Sequence, residues 1–223
     1  MRYTDERTNL MRNLWKILLS LALIISLPFY FISCIGIEAS TKIDSKGAGT
    51  FSVEYQIAKD FVDFGSEEST PSLPFALSRE DIERGLQDTE GISLKSYSKT
   101  KNANNMIISF TLDFDSPENL VKYLDPTNSF ARFNKENGIY SLKFSFGDEI
   151  PPLDPDMKKY ISEQFASYRF SLTIETAKSP PEVFIQDGSF ISKTTSGKKT
   201  ILECAMADLL TVSTSPQIDI FWR

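Results

Sequence analysis

From Ile37 onward the chain is dominated by apolar and polar residues alternating with a period of two. Ile37, Ala39, Thr41 and Ile43 fall on one side of a strand, and the run Asp44-Ser45-Lys46-Gly47-Ala48-Gly49 supplies turn residues. Phe51, Val53, Tyr55 and Ile57 then alternate with Ser52, Glu54 and Gln56, which predicts a hairpin with one buried face. The same pattern predicts strands over 92–100 and 105–115 around the turn Lys101-Asn102-Ala103-Asn104, and over 130–134 and 139–146 around Lys135-Glu136-Asn137-Gly138. Further strands are predicted over 169–176, over 189–194 and 199–204 around Thr195-Ser196-Gly197-Lys198, and through Ile218, Ile220 and Trp222.

Three segments switch to the helical period. Ser78 is placed to cap the first, with Asp81 at the third position and Leu77 set to staple onto Ile82. Ser116 opens the second, with Pro117 at the first helical position and Leu120, Val121 and Leu124 facing inward. Asp154 and Pro155 open the third, along which Met157, Ile161, Phe165 and Tyr168 recur at helical spacing. A single helical turn is predicted at Ala207-Asp208-Leu209-Leu210. Each long helix follows a hairpin, giving a ββα order three times. The strands do not match one another, which argues against a true repeat. The predicted fold class is α+β: a mostly antiparallel, twisted sheet built from β-hairpins, with about three helices packed on one face.

Residues 59–77 fit neither period. This long connection carries Phe61, Phe64 and Phe75 among Asp60, Asp63, Glu67 and Glu68. Loops of that length are uncommon unless they have a task. It reads either as a flap covering the sheet edge or as a candidate partner-binding loop.

A different pattern precedes the alternation. Residues 17–33 carry no charge and follow Arg2, Arg7, Arg12 and Lys16, with Asp5 and Glu6 the acids before them. A positive segment followed by an apolar one is the pattern of a secretory signal. The run ends Phe31-Ile32-Ser33-Cys34, two apolar residues and a small one before a cysteine. This resembles the lipobox of bacterial lipoproteins, in the relaxed form of spirochaetes. The resemblance covers the first 34 residues. It implies that Cys34 is lipidated and that residues 1–33 are removed as a signal peptide. It also implies that 34–223 is one domain anchored through Cys34. The ββα-rich domain directly after such a cysteine resembles the LppM-type lipoprotein domain. The other reading of the apolar run is an uncleaved signal anchor, since about 20 apolar residues span a bilayer. Pro28 and the cluster Phe29-Tyr30-Phe31 fit a cleavage region better than the middle of a span.

Charge narrows the partners. Residues 1–33 carry four basic and two acidic side chains, so the remainder has 20 basic and 28 acidic residues, a net charge of −8. That argues against nucleic acid, whose phosphates call for a basic surface, and against charge-driven docking on anionic headgroups. With Cys34 lipidated, Cys204 has no cysteine left to pair with. In its strand-like run it reads as a small buried apolar residue.

Catalytic chemistry is thinly represented. The chain has no histidine, which removes the usual general base and most zinc sites. Ser96-Tyr97-Ser98-Lys99 and Ser196-Gly197-Lys198-Lys199 have S-x-x-K spacing, but that pairing works on a helix and these fall on a strand and a turn. Asp113/Asp115 and Asp154/Asp156 read as a strand end and a helix cap. No cofactor or metal is expected. The leading expectation is a non-enzymatic, lipid-anchored cell-envelope lipoprotein, on the periplasmic face or outer membrane, that binds an envelope protein or an apolar ligand at the membrane surface. Two alternatives are a lipid carrier with a cavity between sheet and helices, and a carboxylate-dependent hydrolase.

Overall fold

The structure, a computed structural model, describes residues 36–58, 76, 78–102, 105–145 and 153–223. All of them belong to one compact unit, Ile35–Arg223. In chain order the described elements are β1 (Ile37–Ile43), β2 (Gly49–Ala58), α1 (Arg79–Leu86), β3 (Ile92–Lys101), β4 (Asn105–Phe114), α2 (Pro117–Leu124), β5 (Ala131–Glu136) and β6 (Ile139–Ser145). There follow α3 (Pro155–Gln164), β7 (Arg169–Thr176), β8 (Glu182–Gln186), β9 (Ser192–Ser196), β10 (Lys199–Ala205), α4 (Met206–Thr211) and β11 (Gln217–Trp222). The fold class is the expected α+β.

The strands divide between two sheets. The larger runs β3-β4-β2-β1-β7-β10-β9, and the smaller β5-β6-β11-β8. Pairing is antiparallel except between β1 and β7, which run parallel from Ile37 opposite Phe170 to Ile43 opposite Thr176. Alternation decides which residues go inside. Along β4, Met106, Ile108, Phe110, Leu112 and Phe114 are buried while their neighbours are half-exposed. They join Phe51, Tyr55 and Ile57 of β2 and Val183, Ile218, Ile220 and Trp222 of the smaller sheet in one core. Both sheets therefore turn their apolar faces to each other.

The helices start where their caps stand. The Ser78 hydroxyl accepts from the Asp81 N–H (3.1 Å) while the Asp81 carboxylate accepts from the Ser78 N–H (3.0 Å), a reciprocal capping box. Ile82 of α1 is completely buried, a contribution of about 2 kcal/mol. Ser116 caps α2 by accepting from Asn119 N–H, and α2 buries Leu120 and Val121. Asp154 caps α3 in the same way through Met157 N–H. However, α3 buries none of its residues and packs on α4. At the β5–β6 turn Asn137 (φ 52°) and Gly138 (φ 77°) both take the left-handed conformation. That is the I′ geometry whose twist matches a tight hairpin.

Polar contacts tie one margin of the larger sheet to the smaller. The buried Thr200 hydroxyl of β10 donates to the Pro181 carbonyl (3.0 Å). The Lys193 ammonium of β9 donates to the Val183 carbonyl of β8 (2.9 Å). Inside the smaller sheet, Trp222 stacks on Tyr140 with centroids 5.5 Å apart, and Lys135 Nζ lies 4.9 Å from the Tyr140 centroid.

Candidate functional site

The candidates from the sequence are Cys34, with Phe31, Ile32 and Ser33 before it, as an expected anchor, and Phe61, Phe64 and Phe75 as an expected partner loop. All seven lie outside the described residues, so what the structure supplies is the end of the fold to which they are joined. Gly36 leads into β1 and lies against Arg169, the first residue of β7. Met206, the first residue of α4, donates its N–H to the Tyr168 carbonyl (2.8 Å). The start of β1, the start of β7 and the end of β10 thus share one end of the larger sheet. β2 ends there as well, at Ala58, and the Tyr55 hydroxyl donates to the carbonyl of Ala76. The chain therefore returns at Ala76 to the strand it left at Ala58. Burial, together with Tyr97, Tyr123 and Asp81, pushes the Tyr55 hydroxyl well above the usual phenol range, which suits a pin rather than an acid.

Short polar side chains cluster on the outward face of the larger sheet. Ser40, Ser52, Ser98, Ser109, Thr111 and Ser171 line a shallow groove of about 330 Å³ across β1, β2, β3, β4 and β7. Ser52 and Thr111 hydroxyls share a hydrogen bond of 2.9 Å across β2 and β4. Glu38 and Glu54, directly opposite in register, also border the groove and give it a negative rim. Ala39, Val53, Tyr97 and Phe110 also reach the lining, so the groove offers hydroxyl hydrogen bonds beside apolar area.

Between the sheets there is a second space of about 50 Å³, lined by Ile43, Phe51, Leu142, Leu172, Thr41 and Trp222 among others. Ligand pockets run to about 300–1,000 Å³, so this space does not match a carrier cavity. The Thr41 hydroxyl and the Trp222 indole N–H, both at this lining, have no hydrogen-bond partner.

The Ser/Lys and Asp/Asp pairs that the sequence offers do not come together as catalytic pairs. Ser96 and Lys99 both lie on β3, with Ser96 opposite Thr111 and Lys99 opposite Ile108, on alternate faces. Ser196 and Lys199 flank the β9–β10 turn. Asp113 pairs with Lys95 (3.0 Å), Asp115 accepts from the Asn119 side-chain amide (2.7 Å), and Asp154 caps α3. Each of these three carboxylates thus has a structural task, and Asp156 stands exposed in the first turn of α3. Burial, with Asp208 adding to it and Arg169 opposing it, pushes the Cys204 thiol up to about 11. A thiol so placed is unreactive near neutral pH. No group of three or more acidic, cysteine or histidine side chains is arranged to hold a metal among the described residues, and no helix there is long and apolar enough to cross a membrane.

Asp125 is the one fully buried carboxylate among the described residues. It follows α2 and accepts from the N–H groups of Ser129 (3.0 Å), Phe130 (2.7 Å) and Ala131 (2.8 Å), and from the hydroxyls of Thr127 and Ser129 (both 3.1 Å). Burial opposes its ionisation. The hydrogen bonds from Ala131, Phe130 and Ser129 outweigh burial and hold the carboxyl well below the usual carboxylate range. Its role is to fix the α2–β5 turn, where Asn128 has a φ of 51°.

No protein-family model matches the chain, and no curated protein does. Among solved structures it is similar to the folded domain of LppM from Mycobacterium tuberculosis, determined by NMR. The identity is 9%, over 85% of this chain and 90% of that one, with a TM-score of 0.43.

Proposed function

We propose that the protein is a lipid-anchored lipoprotein of the cell envelope, held by acyl groups on Cys34, and that its domain is a non-enzymatic binding module at the membrane surface. The observation that carries this reading is the sequence Phe31-Ile32-Ser33-Cys34 at the end of an uncharged apolar run behind four basic residues. The fold adds a consequence. β1 begins at Ile37, so two residues separate Cys34 from the sheet, a reach of at most about 10 Å. One acyl chain holds weakly and two or more hold firmly, so the module would stay on the bilayer that carries its anchor.

Of the two kinds of ligand, the described surface favours an envelope protein. The hydroxyl-lined groove on the larger sheet offers hydrogen bonds to a polar partner, and the inter-sheet space is far smaller than an apolar ligand needs. The same small space weighs against a lipid carrier, and the structural tasks of Asp113, Asp115 and Asp154 weigh against a carboxylate hydrolase. The test is Cys34→Ala. It should abolish incorporation of labelled fatty acid and leave an uncleaved precursor; normal incorporation into the variant would refute the anchor.

A further inference from the structure

Six large apolar side chains stand exposed among the described residues, and four of them belong to one corner of the fold. Leu153 (36% exposed) precedes α3, Met157 (46%) and Tyr160 (58%) lie on it, and Leu210 (41%) lies on α4. Met157 and Tyr160 share a face at the i, i+3 spacing. α3 has nothing buried and packs on α4, so the pair presents an apolar face with no partner inside the domain.

The register fixes where the helix pair joins the sheet. α3 hands over to β7, which starts at Arg169, and α4 begins directly after β10 ends at Ala205. β1 runs parallel to β7 with Ile37 opposite Phe170, and Gly36 abuts Arg169. The helix pair is therefore joined to the sheet at the end where the chain arrives from Cys34. α3 is about 15 Å long, and about 7 Å of chain separates Gly36 from the anchor. The turn between β1 and β2, at Lys46, is at the opposite end.

We propose that the apolar face of α3 and α4 rests in the headgroup–acyl boundary of the bilayer that holds Cys34, so that the domain has a fixed orientation on the membrane. This rests on the lipid anchor proposed above. The occupant is a lipid surface because the acylated residue brings this end of the sheet to the bilayer, and the α3–α4 pair carries exposed large apolar side chains at that end. The side chains suit that boundary. Tyr160 carries an apolar ring with a polar tip, Lys158 beside it has a long apolar stem that leaves its charge in the headgroups, and Lys159 stands 3.9 Å from Glu163 on the same helix. Faces of this kind sink about 5–10 Å. The domain is acidic, so a zwitterionic surface is the fitting one.

The experiment uses the full-length lipidated protein in phosphatidylcholine vesicles, with an environment-sensitive fluorophore on a cysteine introduced as Met157→Cys, Leu210→Cys or, at the far end, Lys46→Cys. Cys204 is buried with its thiol pushed up, so the probe goes to the introduced site. Probes at 157 and 210 should shift to the blue and be quenched several-fold more by bromine-labelled phosphatidylcholine than the probe at 46. Tyr160→Cys provides a third site on the same face, and an unchanged melting midpoint certifies each variant as folded. Equal, weak quenching at every site in a protein whose Cys34 is acylated would overturn the orientation and leave the anchor standing. A blue shift that bromine does not quench, with crosslinks between position 157 of two molecules, would assign the face to a second copy and overturn it. An unacylated Cys34 would remove both readings together.

Discussion

A Cβ placed on Gly36 would stand 1.6 Å from the carbonyl oxygen of Arg169. Backbone meets backbone there, so no rotamer change relieves the overlap. The contact joins the residue before β1 to the first residue of β7, at the parallel pairing that holds the middle of the larger sheet. Gly36→Ala should therefore destabilise the domain by about 1–3 kcal/mol, in the range of overpacked interiors. The midpoint of denaturant unfolding reads this directly; a midpoint equal to that of the unaltered protein would show that β1 and β7 separate freely at this end.

Asp125 should govern the acid limb of stability. Its folded-state affinity for protons is depressed, so the unfolded chain binds the proton more readily. The stabilisation is present in full above the unfolded carboxyl value of about 3.9 and fades as pH falls below it toward the lower folded value. Asp125→Asn keeps the shape and removes the charge. It should cost about 3 kcal/mol at pH 7, because three backbone donors lose an ionised acceptor in a buried place. It should also flatten the fall in stability below about pH 4. Thermal unfolding at pH 7 and pH 3 checks both, and an equal acid loss in the two proteins would contradict the assignment.

Thr41 points a hydroxyl with no partner at the space between the sheets. A buried hydroxyl without a hydrogen bond costs free energy, and an apolar group of the same shape does not. Thr41→Val should leave stability unchanged or raise it by up to about 1 kcal/mol. A fall of that size on calorimetry would mean that the hydroxyl is satisfied in solution.

Strands β1 and β7 were legible residue by residue, because alternation over 37–43 and 169–176 is bounded by clear turn or helix residues on at least one side. The caps Ser78, Ser116 and Asp154 were legible too, since capping depends on three or four consecutive positions. What escaped was non-local. Alternation says which face a residue takes and nothing about which strand lies beside it, so neither the division into two sheets nor the parallel β1–β7 pair could be read. β8 gives no clear signal in the sequence, because Val183 and Ile185 are its only inward residues and Pro180-Pro181 stand directly before it. Of the four residues at helical spacing from Met157 to Tyr168, only Met157 and Ile161 lie on α3: the helix ends at Gln164 with Phe165 as its C-cap, and Met157 is exposed because the partner is the six-residue α4, too short to cover the helix. Asp125 was missed although Asp-Pro-Thr-Asn-Ser is turn-forming composition. Its signal lies in the backbone N–H groups that curl around it, which a sequence does not display. The candidate anchor and loop were legible only as sequence, and fall outside the described residues.

Acylation of Cys34 is tested most directly by the mass of the amino-terminal peptide from protein extracted out of the native membrane. The predicted result is a peptide that begins at Cys34 and carries diacylglycerol on its sulfur, with residues 1–33 absent. A peptide that begins at Met1, with an unmodified Cys34 and the protein recovered in the soluble fraction, would contradict it.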